Sequence, residues 1–439
     1  MSRTGNETAA PRFEGFPAES LADEAVHVRL TGIEPGARAT VRSRLRDDLG
    51  NWWEAANAFR ADEGGAVDLT TAALASGSYE GAEPMGFLWS MTPAGPPPHS
   101  TFWPTSLEPK TVELAAEADG QTVAEARLVR RYLAPGVRRI EVRDDGLFGA
   151  AFFPAGDGPF PAILLLTGSG GGLSEPAAAL YAAHGIGALA LAYFRAGDLP
   201  AELVRIPLEY FARAIAWLQA RPEIDPDRLA VGGASRGGEL SLLLGSRFPQ
   251  FKAVVANVPS GIVFGGVGDT EAAYRQPAWT HCGEDVTFLF SRSRSRRNEE
   301  GNPDDGTPFA LTPGFLRTLE EEAALAREAA IPVERINGPV LLISGREDAM
   351  WPSTHFSELV MARLAEHRHP YPDRHLAYDG AGHMIGPPWV PTTVSASVHP
   401  VSRRLFAYGG TAKGSAAARA DSWPKILAFL DERLKGMGD

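Results

Sequence analysis

The chain of 439 residues contains one cysteine, Cys282, so no intrachain disulfide can staple it. It has no run of about 18 apolar residues, the length a membrane-spanning helix needs. Its opening, "MSRTGNETAAPRFEGF", lacks the apolar stretch of a secretory signal. Positive charge is also in short supply: 42 Lys and Arg against 54 Asp and Glu leave a net charge of −12. That balance argues against nucleic acid or an anionic membrane surface as the main partner, although a local basic patch is still compatible with it. The final "GMGD" matches no peroxisomal or prenylation signal. These absences predict a cytoplasmic protein. With 44% apolar and 22% charged residues, the chain has the material for two or three globular cores.

What is present falls into two patterns. Up to residue 135 the chain reads as short strands. Val26, Val28 and Leu30 alternate with His27, Arg29 and Thr31. In "ATVRSRLRDDLGN", Val41, Ser43 and Leu45 share one face while Arg42, Arg44 and Arg46 share the other. Thr111–Ala116 and Ala126–Tyr132 are further strands. This regular spacing predicts a small antiparallel sandwich. After Pro135-Gly136 the pattern changes. Ala162–Leu166 is an unbroken apolar run suited to a buried parallel strand. Ser174 is placed to cap a helix that ends near Gly185. "GALALAYF", Leu229–Gly232, Ala253–Ala256, Val340–Ser344 and His375–Tyr378 read as strands. "PLEYFARAIAWLQARP", Arg236–Arg247, "THFSELVMARLAEH" and Ser422–Leu434 read as helices. Alternating strand and helix over 136–439 predicts a mainly parallel sheet covered on both faces. Residues 287–314, arginine-rich and then polar, interrupt this rhythm and read as a cap-like insertion.

The chemistry gathers around one motif. Gly233-Ala234-Ser235-Arg236-Gly237 is G-x-S-x-G with a strand running into it and a helix running out, the setting of a nucleophile elbow. A glycine-rich bend that only packs is the plainer alternative. A serine nucleophile needs a base and an orienting acid. In an α/β hydrolase the chain order is Ser, then an acid after a later strand, then His. Asp348 follows the strand Val340–Ser344, with Glu347 as rival and Asp379 as a weaker one. His383 sits in the glycine-flanked loop "DGAGHMIG"; His355, His367, His369 and His375 fall in or beside predicted helix or strand. For an oxyanion hole the backbone N–H of Arg236 is one candidate, and Ser169 or Gly170 in "TGSGGG" supplies the other. That loop lacks the Lys-Ser/Thr of a phosphate-binding P-loop. Arg292, Arg294, Arg296 and Arg297 form the sharpest basic cluster. They read as contacts for substrate phosphates or, more plainly, as a solvated loop offset by nearby acids. Trp351 and Trp389 are candidate pocket walls or core residues. Nothing in the pattern calls for a metal ion or a bound cofactor.

Taken together, "LRDDLGNWWEAANAFRAD", "EPMGFLWSM", "TGSGGGLSE", "ALAYFRAGDLP", "GGASRGGELSLLL", "ISGREDAMWPS" and "GAGHMIGPPWVP" resemble the acyl-CoA thioesterase and bile acid-CoA:amino acid N-acyltransferase family over nearly the whole chain. The resemblance implies an N-terminal immunoglobulin-like β-sandwich (1–135) and a C-terminal α/β-hydrolase domain (136–439). It implies an acyl-CoA substrate, with coenzyme A as part of that substrate and not a separate cofactor. It also puts the family's nucleophile, acid and base on Ser235, Asp348 and His383. Members that transfer the acyl group to glycine or taurine carry cysteine at the elbow; serine here points to hydrolysis through an acyl-serine intermediate. The alanine- and arginine-rich composition looks bacterial. The competing readings are an amino-acid N-acyltransferase, a carboxylic-ester hydrolase without coenzyme A recognition, and a binding protein with a decayed hydrolase domain.

Overall fold

The computed structural model describes residues 10–95, 101–290 and 306–434. The chain divides into two compact units, one formed by Met1–Tyr132 with Pro388–Val394, the other by Leu133–Pro387 with Ser395–Asp439. A single cut at residue 135 therefore misses one feature. The chain leaves the second unit five residues after His383, adds a short segment to the first, and returns.

The first unit is a β-sandwich with a six-stranded and a three-stranded sheet. Its longest hairpin pairs Arg38–Arg46 with Trp52–Arg60. Val41, Ser43 and Leu45 are buried and the intervening arginines exposed, as the alternation requires. Arg42 and Arg44 reach across to Glu117 and Glu113, each at 2.6 Å. The turn "DDLGN" is built by its two aspartates. Asp47 accepts from the backbone N–H groups of Leu49 and Asn51 and from the Trp53 indole. Asp48 accepts from Thr105, Ser106 and Lys110, which holds its carboxyl down to about 2 despite burial.

The second unit is a doubly wound sheet of eight strands: β1 (Arg138–Val142), β2 (Phe148–Phe153), β3 (Phe160–Leu166), β4 (Gly187–Ala192), β5 (Ile224–Ala234), β6 (Phe251–Asn257), β7 (Val340–Gly345) and β8 (Arg374–Tyr378). Their spatial order is β1-β2-β4-β3-β5-β6-β7-β8, and β2 alone runs against the others. Among the described residues the helices of six residues or more are α1 (Glu175–Ala183), α2 (Glu209–Gln219), α3 (Arg236–Arg247), α4 (Thr312–Glu321), α5 (Ala323–Glu328), α6 (Ser353–Glu366) and α7 (Ala412–Leu434). The central strands are buried along their length, which is why they read as continuous apolar runs.

Four features differ from the sequence expectations. The β1–β2 hairpin was not anticipated, because its arginine-rich first strand mixes exposed and buried positions without a clean period. Helices α4 and α5 begin inside or just beyond the expected insertion, of which residues 291–305 lie outside the described set. Helix α7 starts ten residues earlier than the apolar periodicity suggested, because "AKGSAAARA" is helical by alanine propensity and carries little pattern. Ser174 precedes α1 but makes no side-chain capping hydrogen bond.

Backbone meets backbone closely where β5 runs into α3. A Cβ on Gly233 would fall 2.5 Å from the Gly237 carbonyl oxygen, and one on Gly237 would fall 2.4 Å from that of Thr167. These neighbours are backbone atoms and cannot swing aside. Gly237→Ala should therefore destabilise the protein by about 1–3 kcal/mol, the usual cost of overpacking, which a urea melt would show. An unchanged midpoint would mean that strand and helix are not held this close.

Candidate active site

Ser235 sits between the last residue of β5 and the first of α3 at φ 59°, ψ −121°. Such a conformation costs a non-glycine residue about 1–3 kcal/mol and persists only where its surroundings over-determine it. Here they do: the Ser235 N–H donates to the Asn257 carbonyl, and the Ser235 carbonyl accepts from the Glu239 N–H in the first turn of α3. The side chain is half-buried and lines a cavity with Ser169, Arg236, Phe264, Gly265, Gly266, Val267, Tyr274, Phe290, Phe315, Met350 and Trp351. Most of that wall is apolar.

Asp348 and His383 are brought together by the loops after β7 and β8. The imidazole Nδ1 lies 2.8 Å from Asp348 Oδ2, and the two residues are 6% and 5% exposed. Asp348 Oδ1 accepts the N–H groups of Met350 and Trp351, closing an Asx-turn that fixes the carboxylate. An acceptor carboxylate facing Nδ1 puts the ring proton there and leaves Nε2 as the basic nitrogen. Glu347 is exposed, and Asp379 pairs with Arg346 at the surface, so neither competes for His383. No hydrogen bond joins Ser235 Oγ to His383 among the described residues. The aspartate–histidine half of the expected triad is formed, and the serine lines the cavity whose wall includes Trp351.

Several supporting residues carry no obvious sequence signal. Tyr408 stacks on the His383 ring at 6.1 Å and 12°, and its carbonyl accepts the His383 N–H. Arg419, fully buried on α7, donates to the carbonyls of Met384 and Pro387 and so pins the loop beyond His383; burial pushes its guanidinium down to about 10. The Trp351 indole donates to the carbonyl of Val258, a β-branched residue held at φ 41° just past β6. Strain at the sheet edge is thus fastened from the cavity side.

The oxyanion candidates are placed as follows. Arg236 opens α3, so its N–H has no partner within the helix. A Cβ on Gly168 would lie 3.2 Å from Ser235 Cβ, so the loop after β3 runs directly beside the elbow. The N–H groups of Arg236, Ser169 and Gly170 make no hydrogen bond among the described residues. Ser169 lines the cavity, whereas Gly170 does not; the Gly170 carbonyl accepts from Arg195.

The remaining candidates divide. Trp351 lines the cavity. Trp389 does not: it belongs to the first unit, where its indole donates to the Asp23 carbonyl. Arg292, Arg294, Arg296 and Arg297 lie outside the described residues. Among those described, Glu209, His281 and Cys282 place one potential metal-donor atom each within 4.8 Å of one another, away from this cavity.

Behind the elbow lies a buried ion pair. The Arg236 guanidinium donates to Glu239 at 2.8 Å and to the Phe264 carbonyl, while Glu239 accepts from the Phe264 N–H and the Trp279 indole. Both backbone groups of a cavity-lining residue are therefore held from α3.

This fold and this site define an α/β hydrolase carrying an N-terminal β-sandwich. A family model described as "BAAT / Acyl-CoA thioester hydrolase C terminal" matches residues 206–436, and one described as "Acyl-CoA thioester hydrolase/BAAT N-terminal region" matches 23–144. The mouse peroxisomal succinyl-coenzyme A thioesterase is 31% identical over 421 residues, covering 94% of each chain. Mouse mitochondrial acyl-coenzyme A thioesterase 2 is 33% identical over 440 residues, covering 98% of this chain and 90% of its own. Human acyl-coenzyme A thioesterase 1 is 31% identical over 419 residues, covering 94% of each. The chain belongs to the acyl-CoA thioester hydrolase/BAAT family. These relatives are mammalian and give no support to the bacterial reading of the composition. Two are named for the peroxisome and the mitochondrion, so a cytoplasmic location does not follow from them. No helix among the described residues is long and apolar enough to cross a membrane.

Burial pushes the Glu239 carboxyl up, to about 7, against the opposing pull of Arg236 and its hydrogen bonds. A folded value above the ordinary 4.5 means that the native state holds this proton more tightly. Its contribution to stability is therefore full at low pH and is lost as pH rises through about 7. Between pH 5 and 8 the Tm of the wild type should fall relative to that of Glu239→Gln. Parallel Tm profiles would contradict the raised value.

Proposed function

We propose that the protein is a serine-dependent acyl-CoA thioesterase. The observation that carries the reading is Ser235 on a strained strand-to-helix turn, facing an apolar cavity, with a buried Asp348–His383 pair in the same unit. Family membership supports a thioester as substrate. The wall of Phe264, Val267, Phe315 and Met350 suits an acyl chain.

In this mechanism His383 Nε2 takes the proton of Ser235 as Oγ attacks the thioester carbonyl. Asp348 holds the imidazole in the required tautomer and stabilises the imidazolium that forms. The N–H groups of Arg236 and of Ser169 or Gly170 receive the oxyanion. Collapse expels the coenzyme A thiolate, which takes the proton from His383 and leaves an acyl-serine ester. His383 then deprotonates water, which attacks the ester, and the acid departs as Ser235 recovers its proton. Coenzyme A enters as part of the substrate, and no separate cofactor takes part.

Water is preferred over an amine because an oxygen ester yields to amines less readily than a thioester does. The test is thiol release from a panel of acyl-CoAs. Ser235→Ala should lower turnover by about 10³-fold or more, because nucleophile and base act as a unit; equal rates would overturn the assignment. Adding glycine or taurine should leave the free acid as the main product by mass spectrometry. An amide outrunning the acid would make the protein an N-acyltransferase instead. Cleavage of p-nitrophenyl esters far above any acyl-CoA would make it a carboxylic-ester hydrolase.

A further inference from the structure

His399, one of ten histidines in the chain, carries no motif and stands 16 residues beyond His383. It lies at the end of a small hairpin formed by Ala396–Val398 and Leu405–Ala407, and is 6% exposed. Its backbone is tied on both sides: its N–H donates to the Arg404 carbonyl, and its carbonyl accepts the Arg403 N–H. The ring packs edge-on against Phe406.

The ring nitrogens are distinguished by their partners. Nδ1 lies 3.3 Å from the Val401 nitrogen and 3.1 Å from that of Ser402. Both are N–H donors, so Nδ1 must offer a lone pair, and the neutral ring carries its proton on Nε2. Nε2 lies 2.9 Å from Ser169 Oγ. His399 is therefore the donor and the serine hydroxyl the acceptor. The hydroxyl hydrogen then points away from the ring, and among the described residues it finds no other acceptor. Ser169 lines the cavity beside Ser235 and Arg236. An oxygen that accepts a hydrogen bond becomes a better donor through its own hydrogen.

From this we infer that the Ser169 side chain is a third donor to the oxyanion, and that His399 is the positioning residue that aims it. The inference rests on the reading of Ser235 as nucleophile. It adds to the backbone donors one hydroxyl whose direction is set from a distant hairpin. With the ring in place the hydroxyl is turned before substrate arrives, so no reorganisation is needed as charge develops. The proton stays on Ser169 throughout; the hydroxyl lends a hydrogen bond and takes no covalent part.

The test is the second-order rate at which a fluorophosphonate probe labels Ser235, because that reaction needs the nucleophile and the oxyanion site but not the right acyl chain. It is paired with kcat and KM on an acyl-CoA that the wild type turns over. Ser169→Ala should slow labelling and lower kcat by about 10- to 100-fold, toward the range seen for loss of one oxyanion donor, with KM changed less than about threefold. His399→Phe should do the same, and His399→Gln, which can place an N–H near the Nε2 position, should recover part of the loss. In a Ser169→Ala background, His399→Phe should cost nothing further. Wild-type labelling at Ser235 with Ser169→Ala equally fast would overturn the inference and leave the nucleophile standing. So would two single effects that simply add, since His399 would then serve the hairpin alone. Absence of wild-type labelling at Ser235 would remove the nucleophile and this inference together. Should His399→Phe not fold, Ser169→Ala alone decides.

Discussion

Ser235 presents its hydroxyl to the cavity because a strand and a helix approach each other closely enough to force one residue between them to φ 59°. The approach depends on Gly233 and Gly237, whose missing side chains let β5, α3 and the loop after β3 touch backbone to backbone. From that contact the rest of the site follows. The loop carrying Ser169 is pressed beside Ser235, the first N–H of α3 is left unbonded, and the strain at Ser235 is held by hydrogen bonds from its own N–H and carbonyl. Loosen the contact and Ser235, the candidate oxyanion donors and the cavity wall separate at once.

Around the elbow the protein fixes charges by burying them with partners. Asp348 spends one carboxylate oxygen on two backbone N–H groups and the other on His383, so its position is determined before any substrate arrives. Arg236 and Glu239 do similar work on the other wall, clasping both backbone groups of Phe264. Breaking such a pair on one side only would strand a buried charge. Arg419 and Tyr408 extend the same logic to the loop that bears His383. The loops of the candidate site therefore depend on side chains set back from Ser235 and His383.

The parts of this arrangement that were legible in the sequence are those with a local signature. Alternation exposed the hairpin faces of the sandwich, where Arg42 and Arg44 point outward and Val41 and Ser43 inward. Continuous apolar runs marked β3 and β7, and strand-turn-helix context singled out Ser235. Chain order then led to Asp348 and His383, whose pairing the fold completes. The early start of α7 was hidden because alanine favours helix without any pattern. The contact of His399 with Ser169 was hidden because the two residues are 230 positions apart. For Trp389 the sequence leaves pocket wall and core packing open for the converse reason. His383 and Trp389 are six positions apart, yet the chain crosses from the second unit into the first between them. Glu239 and Arg419 look like ordinary helix-surface residues until the neighbours that bury them are known.

The account joins a family of thioester hydrolases to a specific chemical claim, that the acyl group passes through an ester of Ser235. The most direct measurement is rapid acid quench of the protein with an acyl-CoA, followed by peptide mass mapping. The account predicts an acyl mass increment on the peptide containing Ser235, formed before free acid accumulates. Turnover with no such adduct in Ser235, or with the acyl mass on another residue, would contradict it.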